Sequence, residues 1–92
     1  MADIGGGAFL NCSSLKKIDL SGVKRIQYSA FNGCTSLAEI TFSSELVSVE
    51  NDVFNGCTSL TNIVLPDGIS QLSGSTFSGC TKLTTIKLPK DF

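Results

Sequence analysis

Apolar residues recur at fixed offsets, and the set repeats four times. The first set is Ala8-Phe9, Cys12, Leu15, Ile18 and Leu20; the second is Ala30-Phe31, Cys34, Leu37, Ile40 and Phe42. Val53-Phe54, Cys57, Leu60, Ile63 and Leu65 follow, then Thr76-Phe77, Cys80, Leu83, Ile86 and Leu88. The phenylalanines step by 22, 23 and 23 residues. Such a period marks stacked coils, none of which can close a core alone. In register, like residues form columns: Phe9, Phe31, Phe54 and Phe77 in one, Cys12, Cys34, Cys57 and Cys80 in another.

Within each unit the Ile-x-Leu segment alternates with period two, the pattern of a short half-buried strand. Stacking pairs these strands in parallel at ~4.8 Å per unit, and the rest of each coil supplies the crossover. Two residues after each phenylalanine stands Asn11, Gly33, Gly56 or Gly79, the types that adopt positive φ most easily. This position predicts a left-handed residue closing a single helical turn begun near the Ala-Phe pair. A second apolar pair, Val23/Ile26, Leu46/Val49 and Ile69/Leu72, follows a turn. The predicted units are about 4–25, 26–48, 49–71 and 72–92, with no capping segment; Phe92 falls 23 residues after Ile69, where the pattern's next apolar residue belongs.

At this point the residues resemble a known family. Leu-x-x-Ile-x-Leu followed by Ala-Phe-x-x-Cys is similar to the BspA-like class of leucine-rich repeats, over essentially residues 4 to 92. The resemblance implies a curved solenoid with the Leu-x-x-Ile-x-Leu strands on its concave side. It also implies an extracellular or cell-surface protein of microbial type, with a role in adhesion or in binding host or matrix proteins. The outward positions of the concave strands are then the candidate binding face: Lys17, Glu39, Asn62 and Thr85 in one column, Asp19, Thr41, Val64 and Lys87 in the other. They hold none of the Trp, Tyr or Arg that dominate interface hot spots.

Composition narrows the chemistry. The net charge of −1 gives no reason to expect nucleic acid or anionic membrane as partner. No apolar run approaches the ~20 residues of a membrane span, and Met1-Ala2-Asp3-Ile4-Gly5 has no signal-peptide pattern. With no histidine, no Ser-His-Asp or Cys-His arrangement is available, and the carboxylates are scattered. The expectation is a protein without enzymatic activity, cofactor or metal. Four cysteines admit two disulfides, but stacked side chains point the same way rather than toward each other. They read as reduced core thiols, and their spacing is wrong for zinc. Gly5-Gly6-Gly7 lacks the lysine and helix of a phosphate cradle. Asn11-Cys12-Ser13 is a formal sequon placed where a sugar would crowd the next coil.

The end units raise a second possibility. Losing half the burial of about six apolar side chains costs roughly 5–9 kcal/mol per end, at 1.5–3 kcal/mol each. Lys16, Lys17, Lys24, Arg25, Lys82, Lys87 and Lys90 all lie in the first and last units, where lysines guard strand edges. Screened surface charges are the weaker effect. The chain is therefore expected either to bind a protein partner as part of a longer array, or to self-assemble through its terminal repeats into a closed oligomer.

Overall fold

The computed structural model of the chain describes residues 3–87; the expectations for Leu88, Lys90 and Phe92 lie outside the described residues. Eight short strands occur in chain order: β1 (Asp3–Ile4), β2 (Lys17–Leu20), β3 (Arg25–Ile26), β4 (Glu39–Phe42), β5 (Ser48–Val49), β6 (Asn62–Val64), β7 (Gln71–Leu72) and β8 (Thr85–Lys87). Each coil contributes one strand to each of two faces, and all pairing is parallel. The second apolar pair of each unit thus ends in a strand of its own. Ile4, Ile26, Val49 and Leu72 stack in register in the continuous sheet β1-β3-β5-β7.

The core is the set of columns. Phe31, Phe54, Cys34, Cys57, Leu37 and Leu60 are fully buried in the two middle coils, and their counterparts in the outer coils are partly buried. The phenylalanine rings stack face to face with centroids 5.1, 5.6 and 5.8 Å apart and planes within 9° of parallel. Those separations lie within the preferred range for aromatic pairs, so the coil repeat and the ring contact reinforce each other.

The segment around Ala-Phe is not the helical turn that the sequence predicts; among the described residues there is no helix. Its amides alternate instead. Ala8, Leu10 and Cys12 donate to the carbonyl three residues back, while Gly7, Phe9 and Asn11 donate to Tyr28, Ala30 and Asn32 of the next coil at 3.0, 2.8 and 2.7 Å. A helix would keep successive amides within its own segment. Here every second amide is turned outward, so the ribbon of turns stacks like a strand. In the first three coils the alternation runs between left-handed residues four apart. Asn11, Gly33, Gly56 and Gly79 are left-handed as expected, and Gly7, Ser29 and Asp52 form a second such column.

The strands of the other face do not form the continuous four-column sheet that the repeat predicts. β2 pairs with β4 and β6 with β8, but among the described residues β4 and β6 are unpaired. The amides of Ala38 and Thr84 donate to Lys16 and Thr61 at 2.9 Å, and the equivalent bond from Thr61 to Ala38 is not made. The break coincides with the one aromatic in its column, Phe42 between Leu20 and Leu65. Its ring sets its edge against Phe54 of the next coil, centroids 6.1 Å apart at 84°. A ring where the neighbours have leucine adds volume at the junction where the pairing stops.

Candidate interaction surface

The eight predicted face residues are all exposed. Register places Lys17 beside Glu39 and Asp19 beside Thr41 on β2–β4, and Asn62 beside Thr85 and Val64 beside Lys87 on β6–β8. Period two aims these side chains outward while Ile18, Ile40 and Ile63 turn inward. The structure brings them together in two groups rather than one. Lys17, Asp19, Glu39 and Thr41, with Ile18, line a depression of about 430 Å³. Glu39, Asn62 and Val64, with Ala38, Ile40 and Thr61, line a second of about 390 Å³ at the β4/β6 break. Glu39 belongs to both, and Thr85 and Lys87 belong to neither.

Several polar side chains elsewhere hold coils together. Gln27 and Glu50 each accept the main-chain amide of the preceding coil, from Gly6 at 3.1 Å and from Tyr28 at 3.0 Å. Ser59 and Thr84 donate to Thr35 and Thr61 carbonyls at 2.6 and 3.1 Å. Asp19 accepts from the amide and hydroxyl of its own turn residue Ser21. The Ser21 hydroxyl, followed by its amide, holds the Asp19 carboxyl below its ordinary value. The other seven face residues make no side-chain hydrogen bond or ion pair among the described residues. Arg25 and Asp3 form an ion pair at 3.8 Å, exposed on the opposite sheet.

The cysteines are free thiols with a role that spacing alone could not show. Cys34, Cys57 and Cys80 each donate to the carbonyl of the preceding coil's phenylalanine, Phe9, Phe31 and Phe54, at 3.1, 3.2 and 3.1 Å. A small apolar side chain with a weak donor serves twice: it packs, and it adds a second bond to a carbonyl that already accepts the amide of its own coil's cysteine. Burial pushes the Cys57 thiol up to about 12, and raises Cys34 and Cys80 as well. Thiolate chemistry is thereby disfavoured. Among the described residues no cluster of potential metal ligands occurs.

A family model described as a BspA-type leucine-rich repeat region of six copies matches residues 2–92. Solved structures share the fold. A leucine-rich repeat protein of T. pallidum (TpLRR) aligns over 97% of this chain and 53% of its own, with 28% identity and a TM-score of 0.70. A leucine-rich cell surface protein of Faecalibacterium prausnitzii A2-165 aligns over 95% of this chain and 29% of its own, with 29% identity and a TM-score of 0.63. A leucine-rich repeat protein of Bacteroides ovatus ATCC 8483, at 23% identity, matches in fold over 99% of this chain and 30% of its own with a TM-score of 0.75. The chain thus spans about half or less of each of these proteins. No curated protein sequence matches it.

Proposed function

The chain belongs to the BspA-type leucine-rich repeat family, and from that premise we propose that it is a non-enzymatic protein-binding module acting through the β2/β4/β6/β8 face. The supporting observation is the placement of Lys17, Glu39, Thr41, Asn62, Thr85 and Lys87: they stand exposed and in register on hydrogen-bonded strands, with their side-chain bonding capacity left for a partner. Functional groups on rigid elements bind without a large ordering cost. Adhesion at a microbial cell surface is the setting we infer, in keeping with the cell surface protein of F. prausnitzii among the structural neighbours.

Immobilised fibronectin and collagen are the probes. Binding of the unaltered chain is compared with Thr41→Arg and Thr85→Arg on the strand face and with Tyr28→Ala and Leu10→Ala on the turn side. The reading requires that the two arginine variants lose binding and the two alanine variants keep it. The reverse pattern, or no binding to either matrix protein, refutes it.

The terminal coils favour a second reading. Phe9, Leu15 and Ile18 at one end, and Phe77 and Leu83 at the other, are only partly buried, and Ile86 is 43% exposed. A second copy docking on these faces would repeat the column contacts of the interior, making a homo-oligomer through the terminal units. Light scattering over a hundredfold concentration range in reductant tests it: a mass that stays monomeric throughout ends this reading.

A further inference from the structure

At the break between β4 and β6, two parallel strand edges confront one another unpaired. The neighbouring ladders fix what is left open. Glu39 and Thr85 amides bond to Lys16 and Thr61 carbonyls, and Leu65 amide to Lys87 carbonyl. In a parallel ladder alternate residues serve opposite neighbours. Continued across the break, the register would set Asn62 N on Ala38 O, Ile40 N on Asn62 O, Val64 N on Ile40 O and Phe42 N on Val64 O. The residues that would make those rungs, Ala38, Ile40, Asn62 and Val64, line the 390 Å³ fissure.

We propose that this fissure takes a short extended peptide segment of a protein partner, with a basic side chain set against Glu39. The inference rests on the reading of the strand face as a binding surface, and it names the chemistry of what binds there. Donors and acceptors alternate along both lips, and another main chain is the ligand that meets both in the same order; such strand addition is a recurrent mode of peptide recognition. Glu39 is the one charged side chain in the lining; Lys17, its register partner on β2, lines the neighbouring depression and makes no ion pair with it. The charge of the lips therefore selects a cationic side chain. The opening is confined to this face. On the other sides the same two coils stay joined, by β3–β5 pairing, by Ser29, Phe31 and Gly33 amides on Asn51, Val53 and Asn55 carbonyls, and by the Phe31–Phe54 stack. A strand entering at this face would leave those contacts in place.

Acetyl-Thr-Arg-Thr-Val-Thr-amide titrated into ¹⁵N-labelled protein is the test. Saturable shifts of the Ile40, Phe42, Asn62 and Val64 amides are expected. N-methylation of alternate peptide nitrogens removes them, and exchange of the peptide's arginine for glutamate weakens binding by about tenfold or more, the equivalent of ~1.4 kcal/mol. Glu39→Gln reduces the preference for arginine. Phe42→Leu, which lets the lips close, abolishes binding; if that variant does not fold, the N-methylated peptide and Glu39→Gln decide. Undiminished binding of the N-methylated peptide, shifts elsewhere on the surface, or no shifts at all overturn the proposal. Should it fall while Thr41→Arg still loses matrix binding, the strand face binds its partner by other means and the broader reading survives.

Discussion

Replacing Phe54 by alanine should cost far more than the same change at Phe9, although both rings occupy one column. Phe54 is fully buried. It stacks on Phe31 at 5.6 Å and Phe77 at 5.8 Å and takes the edge of Phe42 at 6.1 Å. Truncating a buried phenylalanine costs ~3–5 kcal/mol, and three aromatic pairs place this site at or above the top of that range. Phe9 keeps one stacking partner, Phe31 at 5.1 Å, and is partly exposed. With part of its surface already in water and only one stacking pair to lose, its cost is about 2–3 kcal/mol. The total stability of a chain this size is ~5–14 kcal/mol at ~0.05–0.15 kcal/mol per residue. Phe54→Ala therefore removes between a third and all of it, and Phe9→Ala leaves a folded protein. Urea unfolding followed by far-UV circular dichroism measures both. The two-state assumption is checked by a constant slope, since a repeat stack can lose its end coils first. Equal losses for the two variants would refute the reasoning, because they would mean that depth in the stack does not set the energy of a ring.

Raising the pH should destabilise the fold through its thiols. The Cys57 value rises from 9.0 to about 12 on folding, so the folded state holds its proton longer than the unfolded one. The contribution is intact below pH 9 and is lost as pH climbs from there toward 12. Cys57→Ala should flatten that part of the stability profile measured by urea titration. Ser29→Gly and Asp52→Gly, at φ of 54° and 60°, should each raise stability by up to ~1 kcal/mol by relieving left-handed strain, seen as a higher urea midpoint. For Asp52 the gain is offset by the lost contact between its carboxylate and the Asn55 side-chain amide at 3.3 Å. Phe42→Leu should slow hydrogen exchange at Asn62 and Val64 about fivefold, since each restored rung is worth ~1 kcal/mol; unchanged exchange would show that the ring does not cause the break.

The coil stack was legible because the same demand is made four times. Each Phe, Cys, Leu and Ile meets its own kind above and below, so a residue's environment repeats with the sequence period. The left-handed positions Asn11, Gly33, Gly56 and Gly79 were legible for the same reason. Ser29 and Asp52 were not, because neither residue type announces positive φ and both are held there by the amide alternation of the turn ribbon. That alternation also explains the missing helical turn. Local pattern is compatible with both geometries, and what decides is whether the next coil offers carbonyls such as those of Tyr28, Ala30 and Asn32. The eight face residues followed from period two alone, and their division into two groups did not.

Columns of identical residues make every junction alike, so a binding surface built only from them would be uniform along the stack. One junction here differs: Phe42 stands in a leucine column with its ring at 84° to Phe54, β4 and β6 are unpaired, and Glu39 stands between two depressions. On the proposed reading this is how the repeat acquires an individual site. The cost is the net worth of a few strand hydrogen bonds, ~0.5–1.5 kcal/mol each, partly offset by the aromatic contact. The remaining bonds between the two coils are redundant enough to hold them together without those rungs. In such a fold the informative positions are therefore those where a column breaks its own rule on the core side. Variation at outward positions changes the chemistry of the surface but leaves its shape as the repeat made it.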